Sequence, residues 1–279
     1  MDGTIDLDAY FARVGYSGVR ASTPEVLTAL HLLHPMAIPF ESLDPLLGRG
    51  VMIDAASLEA KLVRRRRGGY CFEHNGVFLR VLAALGFAVT PLAARVRWML
   101  PDDAPPTPLS HMLIRVDLPD GPWICDVGFG GQSPTAPLRL QPGLEQATPH
   151  GTYRFVDAGD SRFDLQMRLP ERWQTMYRFT LEPQAQRDYE VFNWSTSTHP
   201  ASRFVNNLVA SRVVGERRLN LFNAEFSVYW PDGRIDRALI GDAAALHARL
   251  TEDFDIDVEL SDIAGMSGIE YKPHTVRAV

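Results

Sequence analysis

With 279 residues, 46% of them hydrophobic and 22% charged, the chain has the composition of an ordinary soluble globular protein with two or three structural units. Its formal net charge of −6 argues against a general nucleic-acid binder, and no run of about 18 apolar residues predicts a membrane-spanning helix. Two cysteines cannot build a disulfide framework, and the segment from Met1 to Asp6 does not resemble a signal peptide. We therefore expect a cytoplasmic protein with reduced thiols.

The first 86 residues carry helical patterns. Apolar residues at i, i+3, i+4 and i+7 predict a helix over 7–14. A second helix begins with either Ser22 or Thr23 as its N-cap. The prolines and glycines of 35–50 predict a loop, and 57–66 is typical of another helix.

The most distinctive stretch, 64–75, contains four arginines, two glycines and then Tyr-Cys-Phe-Glu-His-Asn. Cys71 opens a helix-periodic apolar run, so the helix dipole and nearby cations favour its thiolate. The glycines allow backbone to approach whatever the sulfur attacks. Cys71 is therefore a candidate nucleophile, although a lone cysteine on an apolar helix is also typical of core packing. The arginines either bind phosphate or complement the dipole at a helix C-terminus, with Arg67 holding the loop around Cys71.

After Gly86 the pattern changes to β-structure. Three strands are predicted. The first, over 87–100, is rich in Val, Leu, Ala and Trp; the second, over 111–118, alternates apolar and polar residues; the third returns over 123–127. A loop with four prolines, 101–108, separates the first two. Two further strands are expected, and together they indicate a barrel or strongly curled sheet. These later strands lie at 162–169 and 173–181.

The remaining chain is mixed. An aromatic, Asn-, Ser- and Thr-rich crossing segment covers 187–208. The turn Pro231-Asp232-Gly233 predicts a hairpin between strands 219–230 and 234–240. A final helix is expected over 242–254.

A thiol nucleophile requires a base with an orienting partner. His111, at the start of a strand, is the histidine best placed to serve as this base. The same pattern is also typical of a histidine at a strand end with no catalytic role. Asp117 lies on the same strand face but roughly 20 Å away, so it is excluded. Asp126 interrupts an apolar run and is a predicted buried acid. A turn at Asp120-Gly121 would place His111 and Asp126 on one face but roughly 13 Å apart, so their contact requires a bulge, a wider turn or strong coiling.

Other motifs have simpler interpretations. His31 and His34 have metal-ligand spacing but no suitably spaced carboxylate or cysteine. The glycines of 128–131 lack the G-x-G-x-x-G spacing of a nucleotide loop. Cys125, on a strand, is typical of a packed thiol and not of a redox partner for Cys71.

With these residues in hand, the sequence resembles the arylamine N-acetyltransferases, and actinobacterial members most of all. Five segments carry the resemblance: Ile38-Pro39-Phe40-Glu41-Ser42-Leu43, 66–75, His111, 126–131 and Ser197-Thr198-His199-Pro200. The resemblance implies an α+β fold with an N-terminal helical bundle (1–86) that carries the nucleophile. A central β-barrel (87–186) would carry His111 and Asp126, and a crossing segment with an α/β lid would follow (187–279).

The resemblance also implies an activity. Cys71, His111 and Asp126 would form a cysteine-protease-like triad. Acetyl-CoA would acetylate Cys71, and an arylamine, arylhydrazine or N-hydroxyarylamine would accept the acetyl group, with no metal, nucleic acid or membrane involved. The oxyanion would be held by the Cys71 backbone N–H and a second donor. By analogy, the candidates that line the CoA or amine pocket are Trp98, Ser110, Gly128, Phe129 and Phe204.

Three other functions fit the same residues. A thiol hydrolase or transglutaminase-like enzyme would use this triad on amides. An amide synthase would take its acyl group from a carrier protein. A non-enzymatic thiol sensor would need only a reactive Cys71, and it leaves His111 and Asp126 unexplained.

Overall fold

The computed structural model describes residues 3–101, 103–266 and 269. Met1 and Asp2 of the segment considered as a signal peptide, and Asp102 of the proline-rich loop, lie outside the described residues. The region before the barrel is mainly helical but is not helical throughout, because it contains the short strand β1 (Phe40–Glu41). Its helices are α1 (Leu7–Val14), α2 (Pro24–Ala37), α3 (Leu43–Leu46), α4 (Ala55–Leu58), a π-helical turn (Glu59–Arg64) and α5 (Cys71–Ala84).

Local sequence explains where the first two helices begin and end. Helix α1 ends at Gly15, which has the left-handed φ of 73° expected of a C-terminal glycine. Thr23, not Ser22, caps α2, since its side chain accepts from the Val26 backbone N–H. The loop predicted from 35 is wrong at its start, because α2 continues through Pro35. A proline in the last turn removes only one helical hydrogen bond, so the helix tolerates it.

Helix α5 is the centre of the helical region. Nearly all its side chains are buried, including polar ones near its N-terminus. The backbone N–H of Tyr70 donates to Glu73 Oε2 over 3.0 Å, which satisfies one of the unpaired groups at the start of the helix. The helix therefore begins at Cys71 in a fixed position inside the protein.

The predicted barrel is confirmed as a nearly closed sheet of eight antiparallel strands. The polar side chain of Gln146 joins the two edge strands, because it accepts from the Arg139 backbone N–H at 2.7 Å and donates to the Arg139 carbonyl at 3.0 Å. In spatial order the strands are β5 (Leu138–Arg139), β4 (Gly121–Cys125), β3 (Leu109–Leu118), β2 (Ala88–Val96), β9 (Trp173–Thr180), β8 (Arg162–Arg168), β7 (Gly151–Asp157) and β6 (Gln146–Thr148).

The last region corrects two predictions. The crossing segment is largely helical, with α6 (Gln186–Thr198) and α7 (Arg203–Asn206). The single strand predicted over 219–230 is two strands, because Asn223 turns the chain with a left-handed φ of 52°. The second sheet, in order β1-β10-β11-β12-β13, contains β10 (Val209–Val214), β11 (Arg217–Phe222), β12 (Glu225–Tyr229) and β13 (Ile235–Leu239), followed by α8 (Ala243–Glu252) and α9 (Leu260–Ala264).

No helix in the described part of the chain combines the length and the apolar content needed to cross a bilayer.

A buried ion-pair network holds the loop that precedes α5. Arg67 donates to Glu41 Oε1 at 2.7 Å and to Asp44 Oδ1 at 3.2 Å. Lys61 lies 2.6 Å from Asp44 and 2.7 Å from Glu73, which caps α5. The network therefore joins β1, α3 and the π-helical turn to the start of α5, as predicted for Arg67.

We predict that Arg67→Met lowers the free energy of unfolding by about 3–5 kcal/mol, because it removes both guanidinium hydrogen bonds to Oε1 of the fully buried Glu41. Arg65→Met is the matched control, since Arg65 is exposed and forms no ion pair with the described residues. Its expected effect is within about 0.5 kcal/mol. Urea unfolding of both variants measures the difference, and equal stabilities would contradict a structural role for Arg67.

Candidate active site

Cys71 lies at the N-terminus of α5 and is almost fully buried. Its Sγ is 3.5 Å from the carbonyl oxygen of Ser110. Ser110 is skipped in the pairing of β2 with β3, where Ala94 opposes His111 and Arg95 opposes Leu109. This bulge turns the Ser110 carbonyl towards the sulfur, a use of bulges that is common beside functional sites.

His111 and Asp126 are joined by a hydrogen bond of 2.7 Å, in which His111 Nε2 donates to Asp126 Oδ2. The register assumed from the sequence was wrong: the turn is Pro119–Asp120, so Leu118 opposes Gly121 and Ile114 opposes Cys125. Continuing this register by one step places Asp126 opposite Leu113. His111 is then two residues away on the same face, roughly 7 Å along the strand, and the side chains span that distance.

Asp126 is buried, and both of its carboxylate oxygens and its backbone N–H have hydrogen-bond partners. Oδ1 accepts from Asn75 Nδ2 at 2.9 Å and from the Gly128 backbone N–H at 3.0 Å. Its own backbone N–H donates to His31 Nε2 at 3.1 Å. Asn75, one turn after Cys71 on α5, also accepts from the Val127 backbone N–H. Because α5 and the segment after β4 are tied at several points, the carboxylate has a fixed position relative to Cys71.

The electrostatics of the pair favour charge separation. Burial disfavours the imidazolium, but the charge of Asp126, its hydrogen bond and the contact with Cys71 outweigh burial and raise the pKa of His111 to about 10. Burial likewise opposes ionisation of Asp126, but the charge and hydrogen bond of His111, with those from Asn75 and Gly128, lower the pKa of the carboxyl. At neutral pH the pair is therefore an imidazolium and a carboxylate.

The other histidines near α5 are neutral structural groups. Burial lowers the pKa of His31 and of His74 to about 4 in each case. His74 donates from Nε2 to the Pro39 carbonyl at 3.1 Å, so its Nδ1 accepts from His34 Nε2 at 2.9 Å. His34 Nδ1 in turn accepts from Tyr10. Within the described ranges, no three His, Cys, Asp or Glu side chains are grouped as metal ligands.

Aromatic rings form one side of the site. The ring of Phe129 lies 5.2 Å from that of His111, 5.5 Å from Tyr177 and 6.3 Å from Trp98, measured between centroids. Tyr177 also packs on His111 at 5.0 Å. Of the predicted pocket residues, Phe129 thus packs on His111, Trp98 packs on Phe129, and Ser110 places its carbonyl beside the Cys71 sulfur.

The other two predicted pocket residues have different surroundings. A Cβ on Gly128 would lie 3.0 Å from the Cys71 Cα, so this glycine allows the segment after Asp126 to pack directly on α5. Phe204 packs on Phe40 and Tyr70, with centroids 5.9 and 5.6 Å away. Their roles in binding stay predictions.

Sequence reasoning missed three residues around Asp126 and His111. Asn75 lies four positions after Cys71 on the same helix. This spacing puts the two side chains on one helix face, and it was the signal that could have identified Asn75. His31 was weighed only as a metal ligand. Tyr177 gave no local signal, because its contact with His111 depends on barrel closure.

Proteins of a known family resemble this chain over most of its length. A family model described as N-acetyltransferase matches residues 23–263. The arylamine N-acetyltransferase of Mycobacterium tuberculosis is 46% identical over 271 residues, which cover 95% of this chain and 94% of the relative. The Salmonella typhimurium protein named arylamine N-acetyltransferase / N-hydroxyarylamine O-acetyltransferase is 43% identical, covering 90% and 89% of the two chains.

Solved structures agree as well. The Mycobacterium marinum arylamine N-acetyltransferase in complex with CoA superposes with a TM-score of 0.90 at 40% identity, covering 94% of this chain and 98% of that one. Family model, sequence relatives and structure all span most of the chain, so the resemblance inferred from the sequence is confirmed. The chain belongs to the arylamine N-acetyltransferase family.

Proposed function

We propose that this protein transfers the acetyl group of acetyl-CoA to an arylamine, arylhydrazine or N-hydroxyarylamine through an acetyl-cysteine formed on Cys71. The observation that carries the proposal is the convergence of Cys71, His111 and Asp126 from α5, β3 and the end of β4, with a 2.7 Å hydrogen bond between the last two. The relatives' names and the CoA complex of the Mycobacterium marinum protein support the choice of donor and acceptor.

In the first step, Cys71 attacks the carbonyl carbon of acetyl-CoA. Asp126 occupies Nε2 of His111, which leaves Nδ1 as the nitrogen that serves the sulfur. The imidazolium stabilises the Cys71 thiolate beside it, and the backbone N–H of Cys71, at the start of a helix, is oriented to stabilise the developing oxyanion. The carbon–sulfur bond to CoA breaks, His111 supplies a proton to the departing CoA thiolate, and Cys71 retains the acetyl group.

In the second step, the neutral amine attacks the thioester. The nitrogen loses a proton to the imidazole of His111, and the bond between the acetyl carbon and the Cys71 sulfur breaks. Asp126 stays ionised and stabilises the imidazolium formed in this step. The thiolate–imidazolium pair is thereby restored, and the protons balance over the two steps.

The acetyl donor and the amine are proposed to bind beside the aromatic rings of Trp98 and Phe129 and the backbone of Ser110, which surround the Cys71–His111 pair. Gly128 and Phe204 complete the proposed pocket set, Phe204 from the side of Tyr70. We further propose three units, a helical bundle over 1–86, a barrel over 87–186 and a lid region over 187–279, and a cytoplasmic location.

The proposal is tested first by intact mass after mixing with acetyl-CoA and no acceptor. The wild-type protein should gain the mass of one acetyl group and lose it on adding an arylhydrazine. Cys71→Ala should gain nothing, whereas Cys125→Ala, which removes the other buried thiol, should behave as the wild type. Acylation of the wild type only by carrier-protein thioesters or by amides would favour an amide synthase or a thiol hydrolase instead.

We predict that Asp126→Asn lowers kcat by about 10³–10⁴-fold, because the amide cannot stabilise the imidazolium of His111. The matched control is Asp117→Asn, which removes an exposed carboxylate from the same hairpin. Steady-state kinetics with a fixed arylamine should show control rates close to wild type. Comparable rates in both variants would remove Asp126 from the mechanism.

The His111–Asp126 pair also predicts a pH-dependent stability. An unfolded histidine titrates near pH 6.5, whereas the folded-state pKa of His111 is raised to about 10. Between these values the folded protein holds the additional proton, so the contribution of His111 is complete below pH 6.5 and is lost as pH rises to about 10. Urea unfolding of wild type and His111→Gln should give a stability difference that shrinks over this range. A difference that stays constant or grows with pH would contradict it.

A further inference from the structure

Three arginines converge on one carboxylate away from the His111–Asp126 pair. Asp255 Oδ2 lies 2.7 Å from Arg66 Nη2, 3.8 Å from Arg13 Nη1 and 3.8 Å from Arg212 Nη2. The arginines come from α1, from the loop before α5 and from β10. Three positive charges therefore face one negative charge, and the two longer contacts exceed hydrogen-bond length.

The deepest of these arginines is incompletely satisfied. The Arg13 side chain is 4% exposed, and its Nε donates to the Leu62 carbonyl at 3.2 Å. Its buried Nη2 has no hydrogen-bond partner among residues 3–101, 103–266 and 269. Burial and the charge of Arg66 lower the pKa of Arg13 to about 10, against the opposing charge of Asp255. A buried guanidinium nitrogen without an acceptor is costly, so the position favours an additional anion.

The cluster is open to solvent on one side and fixed on the other. The side chains of Arg66 and Asp255 are 62% and 33% exposed, whereas that of Arg212 is 20% exposed. Two backbone carbonyls fix the Arg212 side chain: its Nε donates to the Met36 carbonyl at 3.1 Å, and its Nη1 donates to the Asp253 carbonyl at 3.3 Å. Arg66 is therefore the most accessible of the three arginines, Arg212 is half-buried and Arg13 is buried.

We propose that Arg13, Arg66 and Arg212 form a binding site for a phosphate group. Asp255 neutralises one of the three charges, and the two that remain match the charge of about −1.5 to −2 on a phosphate at neutral pH. Guanidinium forks bind tetrahedral oxyanions through paired, charge-assisted hydrogen bonds. The ligand is either free phosphate or a phosphate of a larger molecule such as CoA, and the site itself does not depend on the proposed acetyl transfer.

The experiment is calorimetric titration of the whole protein with inorganic phosphate, at constant ionic strength maintained with chloride. The wild type should bind phosphate saturably, and Arg66→Gln should weaken the affinity about tenfold or more, as expected for loss of a charge-assisted hydrogen bond. Arg65→Gln is the matched control, since it removes the same charge from the adjacent exposed residue and should bind as the wild type does. Arg212→Gln provides a second test from a different element, with circular dichroism to confirm that each variant is folded.

A titration with CoA distinguishes the two sources of the phosphate. If CoA competes with inorganic phosphate and Arg66→Gln weakens both, the site takes a CoA phosphate; if CoA binding is independent and unchanged, it takes free phosphate. Absence of saturable phosphate binding to the wild type would overturn the proposal. Equal affinity in Arg66→Gln and Arg65→Gln would also overturn it. None of these outcomes depends on acetyl transfer.

Discussion

The buried carboxylate of Asp126 is the constraint on which the rest of the site depends. An ionised acid in the protein interior is tolerated only when its oxygens are fully hydrogen-bonded. Its oxygens accept from His111, Asn75 and the Gly128 backbone, and its own N–H is accepted by His31. Because His111, Asn75 and His31 belong to β3, α5 and α2, satisfying the polar groups of Asp126 also docks the barrel against the helices. Fold and site are therefore stabilised by the same contacts.

This arrangement also explains how the nucleophile is positioned. Cys71 and Asn75 are four residues apart on α5, so they lie on one face of the helix. Asn75 binds Asp126, Asp126 orients His111, and the bulge at Ser110 brings a backbone carbonyl to 3.5 Å from the sulfur. The hydrogen bonds of Asp126 to Asn75 and His111 are short and buried, and with the contact at Ser110 they position the imidazole relative to the sulfur.

Sequence patterns predicted the starts of α1 and α5 and the main barrel strands, because these depend on local periodicity. Residue chemistry marked Cys71, His111 and Asp126 as candidates, but it was the family resemblance that joined them as a triad. The register between β3 and β4 was not predictable. Moving the turn from Asp120-Gly121 to Pro119-Asp120 keeps His111 and Asp126 on one face, but it halves their separation along the strand. Contacts such as Tyr177 on His111 depend on barrel closure, which no local pattern encodes. Helix α6 was missed because its polar sequence lacks a clear apolar stripe.

The arginine run shows why composition alone could not separate a binding patch from a structural one. Arg67 is enclosed by Glu41 and Asp44, so its charge is balanced inside the protein. Arg66, the next residue back, has a left-handed φ of 53°, and this turn sends its side chain towards Asp255 instead. There it joins two further arginines, and one carboxylate cannot balance all three. Adjacent identical side chains thus differ in role because the local backbone directs them to sites with different charge balance, and only the unbalanced site has a physical reason to recruit an anion.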